Sequence, residues 1–352
     1  MVRFNDLEDL LKSGDLTRNE FIRASAMLGV SIFTVGKVLN GGSDVAEAAS
    51  CRPSSTPARV ANKAKYKVGF AQSELTNPWR TAETDSMLAE AKKQANRFSY
   101  RWNNAYSSTN KQVSNVEDFI AQKVDFIVVT PLQENPLRAA TAKALASCIP
   151  VFEIDRKSAG KAGLDFVTFI GSDFRAQGRK VGRWMVKHTK GPINYVELYG
   201  TTGATPAILR RAGFHDIIDK QSRFKLLAGQ DGNFTLADGK RVMQNFISKF
   251  GNKIDMVYAH NDDMAFGALQ ALQSAGINKK IYVGSIDGQK KAIQMVAQGQ
   301  LSVCVQSDPR FGPLTFKTIN DYIAGKKIPA WVVVRDHMYV KSNAASLLST
   351  GF

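Results

Sequence analysis

Short apolar runs alternate with amphipathic stretches along most of the chain, beginning near Tyr66. The runs are continuous and short, which predicts strands that are buried on both faces. The stretches between them repeat apolar residues every three or four positions, which predicts amphipathic helices. Strands are predicted over residues 67–71, 126–130, 151–154, 166–170, 195–198, 256–259 and 281–284. Helices are predicted over residues 81–94, 113–122, 136–146, 175–188, 207–219, 236–250 and 264–275.

This alternation predicts an α/β fold with parallel sheets, because a helix that joins two parallel strands lies against a face of the sheet. The number of strands favours two doubly wound lobes over one sheet, and 352 residues are enough for two domains. Ligands in such folds bind beyond the carboxyl ends of the strands. The residues that follow each strand therefore form the candidate site.

Polar and aromatic residues follow the predicted strands at these positions. A sugar requires such a mixture, because each hydroxyl donates and accepts hydrogen bonds while the face of the ring is apolar. Charged planar side chains can serve the hydroxyls, and aromatic side chains can pack on the ring. The candidate ligand-binding residues are Gln72, Asn77, Trp79, Arg80, Asp155, Arg156, Arg210, Asn261, Asp287 and Gln306.

Several of these residues also have a purely structural explanation. Asp287 forms an ordinary turn pair with the glycine after it, and Asn261 can cap the helix that begins near residue 264. Asp155 and Arg156 can form a solvated ion pair worth only ~0–1 kcal/mol. Their joint occurrence after successive strands favours a ligand site over these separate explanations.

Composition and charge further restrict the range of possible functions. Apolar residues make up 44% and charged residues 22% of the chain, close to the average for soluble globular proteins. The net charge is +16, but Lys and Arg are dispersed, which favours a generally basic surface over a nucleic-acid site. The cysteines and histidines are scattered, and residues 200–203 lack the lysine-hydroxyl pair of a phosphate loop. We therefore expect no metal, no cofactor and no catalysis.

The first 65 residues carry features of an export leader. Residues 17–23 resemble the twin-arginine export motif, although Asn19 replaces the second arginine. A short apolar region spans residues 24–36, and small residues at 46–50 predict a cleavage site. Cys51 follows them, but the large apolar residue usual before a lipidated cysteine is missing, which argues against lipid anchoring. These features predict a periplasmic location.

Residues 29–41 support a second interpretation, because they resemble the recognition helix of sugar-responsive bacterial repressors. In a helix-turn-helix, Ser31, Thr34 and Lys37 would be placed to meet phosphates or base edges. Such a repressor needs a further helix and a hinge before its sensor domain, yet only the low-pattern stretch 42–65 is available. The sequence favours export, and a sugar-responsive repressor with an N-terminal helix-turn-helix is the alternative.

Six motifs resemble those of a known family. They lie at residues 79–84, 155–156, 196–201, 232–235, 258–264 and 284–288. Together they resemble the periplasmic sugar-binding proteins of ABC transporters, most closely the galactofuranose-binding branch, from about residue 66 to residue 339. The resemblance implies a type I periplasmic binding protein fold, in which two Rossmann-like lobes close around a monosaccharide by hinge motion.

The resemblance also implies how the chain is divided. Three crossings between the lobes are expected near Ser172, Ser307 and Val332. Lobe 1 is expected to comprise residues 66–172 and 307–331, and lobe 2 residues 173–306 and 332–352, after a leader and linker over residues 1–65. The expected partners are a monosaccharide and the permease of an ABC transporter, with a chemoreceptor left open. Nucleic acid is not expected, and the protein is expected to be a monomer.

The family further implies roles for the candidate residues of lobe 1. Trp79 corresponds to an aromatic residue that packs on the sugar ring, and Asn77 and Arg80 correspond to its polar neighbours. Asp155 and Arg156 correspond to the charged pair that holds ring hydroxyls.

Four residues complete the implied site. Asn261 and Asp287 correspond to hydrogen-bonding residues of lobe 2, and Gln306 corresponds to a polar residue near a crossing. Arg210 has the weaker correspondence, because ribose-type members place their arginine at the position of Ile208. The galactofuranose-binding branch agrees better with Arg210.

Overall fold

Two six-stranded sheets form the body of the protein, which a computed structural model describes over residues 4–13, 15–27 and 61–352. The first sheet has the order β11-β5-β4-β3-β1-β2, and all of its strands are parallel. Its strands are β1 (Tyr66–Gln72), β2 (Phe98–Asn104), β3 (Phe126–Val129), β4 (Val151–Ile154), β5 (Thr168–Ser172) and β11 (Trp331–Val334).

The second sheet has the order β12-β10-β9-β8-β6-β7, and only β12 runs antiparallel to its neighbour β10. Its strands are β6 (Ile193–Tyr199), β7 (Phe224–Asp231), β8 (Met256–Ala259), β9 (Tyr282–Asp287), β10 (Val303–Gln306) and β12 (Met338–Tyr339). We call the first sheet with its helices lobe 1 and the second sheet with its helices lobe 2. The predicted α/β fold with two doubly wound lobes is confirmed.

Helices connect the strands and cover the sheets. In lobe 1 they are α3 (Pro78–Lys93), α4 (Thr109–Ala121), α5 (Arg138–Ala146) and α11 (Gly312–Ile323). In lobe 2 they are α6 (Phe174–His188), α7 (Thr205–Ile218), α8 (Leu236–Phe250), α9 (Asp262–Ser274) and α10 (Lys290–Gln298). Two short helices, α1 (Phe4–Ser13) and α2 (Arg18–Met27), precede both lobes.

Strand β3 shows why continuous apolar runs predicted buried strands. Phe126 and Val128 belong to one core cluster, whereas Ile127 and Val129 belong to another. Successive side chains of a strand point to opposite faces, so both faces of β3 are buried. The edge strands β2 and β7 were not predicted, because their side chains are largely half-buried or exposed and include few continuous apolar residues.

The chain passes between the lobes three times. It leaves lobe 1 after Ser172, returns after Gln306, and leaves again between β11 and β12. The predicted third crossing near Val332 is wrong by a few residues, because all of Trp331–Val334 pairs with β5 of the first sheet. The crossing therefore lies between Val334 and Met338, and the predicted boundary at 331/332 falls inside a strand of lobe 1.

The N-terminal helices form a small hairpin with an apolar contact between Leu7 and Phe21. Helix α2 begins with a capping box, in which Thr17 and Glu20 each bind the backbone N–H of the other. Within the described parts of the chain, no helix has both the length and the apolar character needed to cross a bilayer. The predicted recognition helix, cleavage site and Cys51, together with the apolar region beyond Met27, lie outside the described residues.

Candidate functional site

The first turn of α3 carries three candidate residues to the carboxyl end of the first sheet. Asn77 caps the helix, because its Oδ1 accepts the N–H of Arg80, and Pro78 occupies the first helical position. Trp79 is buried, and its indole Nε1 donates to the carbonyl of Ser307 at 2.7 Å. The Arg80 guanidinium lies 4.7 Å from the centre of the indole ring. Trp79 is therefore not a surface residue.

Buried ion pairs hold the two arginines of lobe 1. Arg80 donates to Glu83 at 2.9 Å and to Asp155 at 2.7 Å, and Arg156 donates to Glu74 at 2.7 Å. Asp155 and Arg156 are 3% and 1% exposed, so they are not a solvated pair. Their closest charged atoms are 3.8 Å apart, and each has a better partner elsewhere.

In this network, burial and the neighbouring charges shift the pKa values in opposite directions. Burial alone would lower the pKa of Arg80, but the surrounding carboxylates, Asp155 first, raise it above its ordinary value. Burial likewise opposes ionisation of Glu74, yet Arg156 and Arg80 hold its pKa below the usual range. For Glu83 burial prevails and raises the pKa to about 7. Arg80 is thus charged and held by carboxylates, whereas burial lowers the pKa of Arg156 despite its pairing with Glu74.

Lobe 2 contributes three of the predicted site residues, which come from three different elements. Arg210 of α7 donates to the carbonyl of His260 at 2.7 Å and lies 3.3 Å from Asp287 at the end of β9. Asn261 caps α9 by accepting the N–H of Met264, as its structural explanation required. Its amide also donates to a backbone carbonyl of the cavity wall, so capping and a place in the site are compatible.

These residues enclose a cavity of about 280 Å³ between the two lobes. Eight of the ten predicted residues line it, and they come from both lobes. The lining residues are Asn77, Trp79, Arg80, Asp155, Arg156, Pro206, Arg210, Phe234, Asn261 and Asp287.

Gln72 and Gln306, by contrast, do not line the cavity. Gln72 donates to Glu83 and Thr84 of α3, and Gln306 binds the backbone of His337 and Thr350. Both are the last residues of their strands, as Asp287 is, but their amides are held by these other partners. Their prediction as ligand residues is corrected: Gln72 supports α3, and Gln306 belongs to the second crossing.

Phe234 is the main lining residue that was not predicted. Its carbonyl accepts the amides of Asn77 from lobe 1 and Asn261 from lobe 2, so it links the walls of the cavity. Its ring lies 5.6 Å from the Arg156 guanidinium. A Cβ on Gly200 would lie 1.9 Å from this ring, so the glycine makes room for it. The sequence signal was Phe234's place inside one of the six family motifs.

A carboxylate-histidine chain lies beneath the wall of lobe 2. Glu197 binds His260 and His215, each at 2.9 Å, and His215 also binds Asp219 at 2.8 Å. Burial lowers the pKa of His260, whose Nδ1 accepts the N–H of Gly200, so this histidine is neutral. Both nitrogens of His215 face carboxylates, and its hydrogen bond to Glu197 is the main cause that raises its pKa to about 9. His260 is therefore a structural residue.

We predict that the protein loses stability at alkaline pH, because His215 loses its proton there. Its folded-state pKa of about 9 exceeds the unfolded value of ~6.5, so its stabilisation is complete below pH ~6.5 and is lost as pH rises through 9. Because the side chain is 20% exposed, we discount the effect to about 1 kcal/mol. Thermal melts between pH 7 and pH 10 should show a loss that His215→Gln lacks. The exposed His188→Gln is the control, and equal pH dependence in all three proteins would contradict the prediction.

The two lobes and the cavity between them define a binding protein that encloses a small ligand. Residues 68–327 match the periplasmic binding protein domain family. The galactofuranose-binding protein YtfQ of Escherichia coli (strain K12) is 35% identical over 268 residues, which cover 75% of this chain and 84% of that protein. The chain belongs to the periplasmic binding protein family.

Solved structures agree with this assignment. A crystal structure of a galactofuranose binding protein is 33% identical, with a TM-score of 0.78, and the match covers 81% of this chain and 98% of that one. The binding protein of the arabinose ABC transporter from Shewanella sp. ANA-3, bound to α- and β-L-arabinofuranose, is also 33% identical. Its TM-score is 0.76, and the match covers 81% and 95% of the two chains.

Proposed function

We propose that this protein captures one uncharged monosaccharide between its lobes in the periplasm and delivers it to an ABC importer. The observation that carries the proposal is the cavity itself, because residues predicted separately from successive strands converge on it from both lobes. A ligand held by both lobes stabilises the closed arrangement, and the importer can recognise that arrangement.

The walls of the cavity suit a sugar chemically. Arg80, Arg156 and Arg210 present donors, Asp155 and Asp287 present acceptors, and each hydroxyl of a sugar can use both. Trp79 and Phe234, which also line the cavity, supply apolar faces for the ring.

Charge and size restrict the ligand further. The three guanidinium groups are opposed by the buried carboxyls of Glu74, Glu83, Asp155 and Asp287, so neither charge is in large excess. This balance favours a neutral polyol over a phosphate or a carboxylate. The cavity is also small. It favours one sugar ring over an oligosaccharide.

We propose the furanose ring form and no chemical reaction. One of the similar proteins is a galactofuranose-binding protein and another is bound to L-arabinofuranose, which supports a five-membered ring. The carboxylates in the cavity face arginines, an arrangement that holds hydroxyls and leaves the carboxylates poorly placed to abstract protons. We further propose that the protein is a monomer.

The N-terminal residues fit an export role in this proposal. The capping box at Thr17 and Glu20 starts a helix inside the segment that resembles a twin-arginine leader. We propose export through this leader and no lipid anchor at Cys51. A chemoreceptor is a second partner that the closed lobes could serve.

A sugar panel tests the proposed function. We expect L-arabinose, D-galactose or methyl β-D-galactofuranoside to raise the melting temperature, because a ligand that binds only the folded state adds RT ln(1 + [L]/Kd). At 100 times Kd this is ~2.7 kcal/mol, or roughly 5–10 °C for a protein of this class. Ribose, fructose and xylitol complete the panel, and glucose 6-phosphate tests the preference for neutral ligands. A shift with the phosphate alone, or with no sugar, would overturn the proposal.

A further inference from the structure

Gln177 of α6 is a fully buried residue that contacts the cavity arginine and the crossings between the lobes. Its Oε1 accepts the Nε–H of Arg210 at 2.9 Å. Its Nε2 donates to the carbonyl of Gln306 at 3.1 Å and to the carboxylate of Asp336 at 2.9 Å. Gln306 ends the strand before the second crossing, and Asp336 lies in the third.

Asp336 extends these contacts to the first crossing. Its other carboxylate oxygen accepts the hydroxyl of Ser172, the last residue of β5, at 2.9 Å. Its backbone carbonyl accepts the Lys180 ammonium of α6, also at 2.9 Å. One glutamine and one aspartate therefore join all three crossings to each other. We call Gln177 and Asp336 the hinge hub.

The chemistry of the hub allows only one orientation of the Gln177 amide. Arg210 carries only donors, so it requires the oxygen of the amide, while the Gln306 carbonyl and the Asp336 carboxylate require its NH₂ group. Both N–H donors and the oxygen of Gln177 are thus used, each by a different element. An aliphatic side chain here would leave a buried guanidinium N–H and a buried carboxylate oxygen without these partners.

Neither hub residue reaches the ligand cavity. Arg210 lines it, whereas Gln177 and Asp336 lie behind that arginine, away from the ligand. Any influence of the hub on binding must therefore pass through the position of Arg210 or through the angle between the lobes.

We propose that Gln177 and Asp336 are positioning residues that couple Arg210 to the closure of the lobes. The inference rests on the proposed function, since it takes Arg210 to contact the sugar. When the sugar fixes Arg210, the hub transmits that position to Ser172, Gln306 and the third crossing at once. Closure and ligand contact then stabilise each other, and weakening the hub weakens both.

The test uses Asp336→Asn, which keeps the volume but replaces one acceptor oxygen by a donor. Asp336 accepts from both Gln177 and Ser172. The asparagine amide can still accept from Gln177, but it must donate to the Ser172 hydroxyl, so the variant removes the negative charge of the hub and reverses one of its hydrogen bonds. The matched control is Asp308→Asn, a carboxylate after the second crossing that pairs with Arg310 near the surface. The probes are L-arabinose and methyl β-D-galactofuranoside, added to the full-length protein.

Two quantities are measured for each protein: Kd by calorimetry, and the decrease in radius of gyration on sugar binding by small-angle X-ray scattering. We expect Asp336→Asn to raise Kd about 10-fold and to reduce the contraction, with Asp308→Asn within about 2-fold of wild type. A merely structural role would lower the melting temperature of Asp336→Asn and leave the contraction unchanged. That result would overturn the inference.

Ser172→Ala provides a second variant if Asp336→Asn does not fold, because it removes one hub bond and no charge. We expect a smaller change of the same kind, and wild-type contraction and Kd in this variant would overturn the inference. Wild-type protein that binds neither probe nor any sugar of the panel would instead overturn the proposed function. The two failures are therefore distinguishable.

Discussion

Asp155→Ala should raise the Kd for the sugar by about 1.5 to 3.5 orders of magnitude, a loss of ~2–5 kcal/mol. Asp155 accepts Arg80 at 2.7 Å and lies 3.8 Å from Arg156, so its removal takes a carboxylate from between two buried arginines. The sugar would also lose an acceptor for its hydroxyls. Calorimetry with L-arabinose and methyl β-D-galactofuranoside measures the change.

The Asp155→Asn variant distinguishes the effect of the charge of this residue from the effect of its backbone conformation. Asp155 has a φ of 56°, a left-handed conformation that asparagine accepts more readily than alanine. We expect the asparagine variant to lose most of the affinity while folding better than Asp155→Ala. Asp321→Asn on the surface of α11 is the control. Unchanged affinity in Asp155→Asn would remove the charge of Asp155 from the binding mechanism.

The candidate site was largely predictable because of one property of parallel sheets. Residues that follow the strands meet at one edge, so Asn77, Asp155, Asn261 and Asp287 could be grouped without knowing any distance. Partners could not be predicted in this way. Asp155 pairs with Arg80, 75 positions away, and not with its chain neighbour Arg156.

Two of the predicted residues do not line the cavity, and their positions along the chain gave no sign of this. Gln72 and Gln306 each end a strand, as Asp287 also does, yet their amides bind α3 and the backbone near the crossings while Asp287 lines the cavity. Phe234 was missed for another reason. It follows β7, an edge strand without a continuous apolar run, and it has a φ of 60°, which is unusual for an aromatic residue.

Central strands of the two sheets were easier to predict from the sequence than strands at the sheet edges. The central strands were predictable, since burial on both faces requires continuous apolar residues. Strand β5 was predicted two residues too early, at 166–170, because Phe166 and Val167 are buried by packing without being part of the strand. The sequence pattern did not predict how closely neighbouring helices approach each other.

The closest of these helix contacts is between α6 and α7, where glycines let the backbones meet. A Cβ on Gly178 of α6 would lie 2.1 Å from the carbonyl oxygen of Arg210, and one on Gly213 of α7 would lie 2.0 Å from the carbonyl oxygen of Arg175. Backbone atoms cannot yield as a flexible side chain can. Substitution of either glycine must therefore push the two helices apart close to Arg210, which lines the cavity.

Gly178→Ala should accordingly lower the free energy of unfolding by roughly 2–4 kcal/mol, which corresponds to a fall in melting temperature of roughly 5–15 °C. It should also weaken sugar binding at least ~10-fold, because displacement of α7 moves Arg210. Gly182→Ala on the same helix is the matched control. Its Cβ would lie 3.1 Å from the Cβ of Ile217 and 3.2 Å from the carbonyl oxygen of Phe214, so a shift of a few tenths of an ångström is enough to relieve both contacts. Alanine also gains up to ~1 kcal/mol over glycine in a helix. Thermal melts and calorimetry of both variants test this contact, and equal stability of the two would show that the helices separate at no cost.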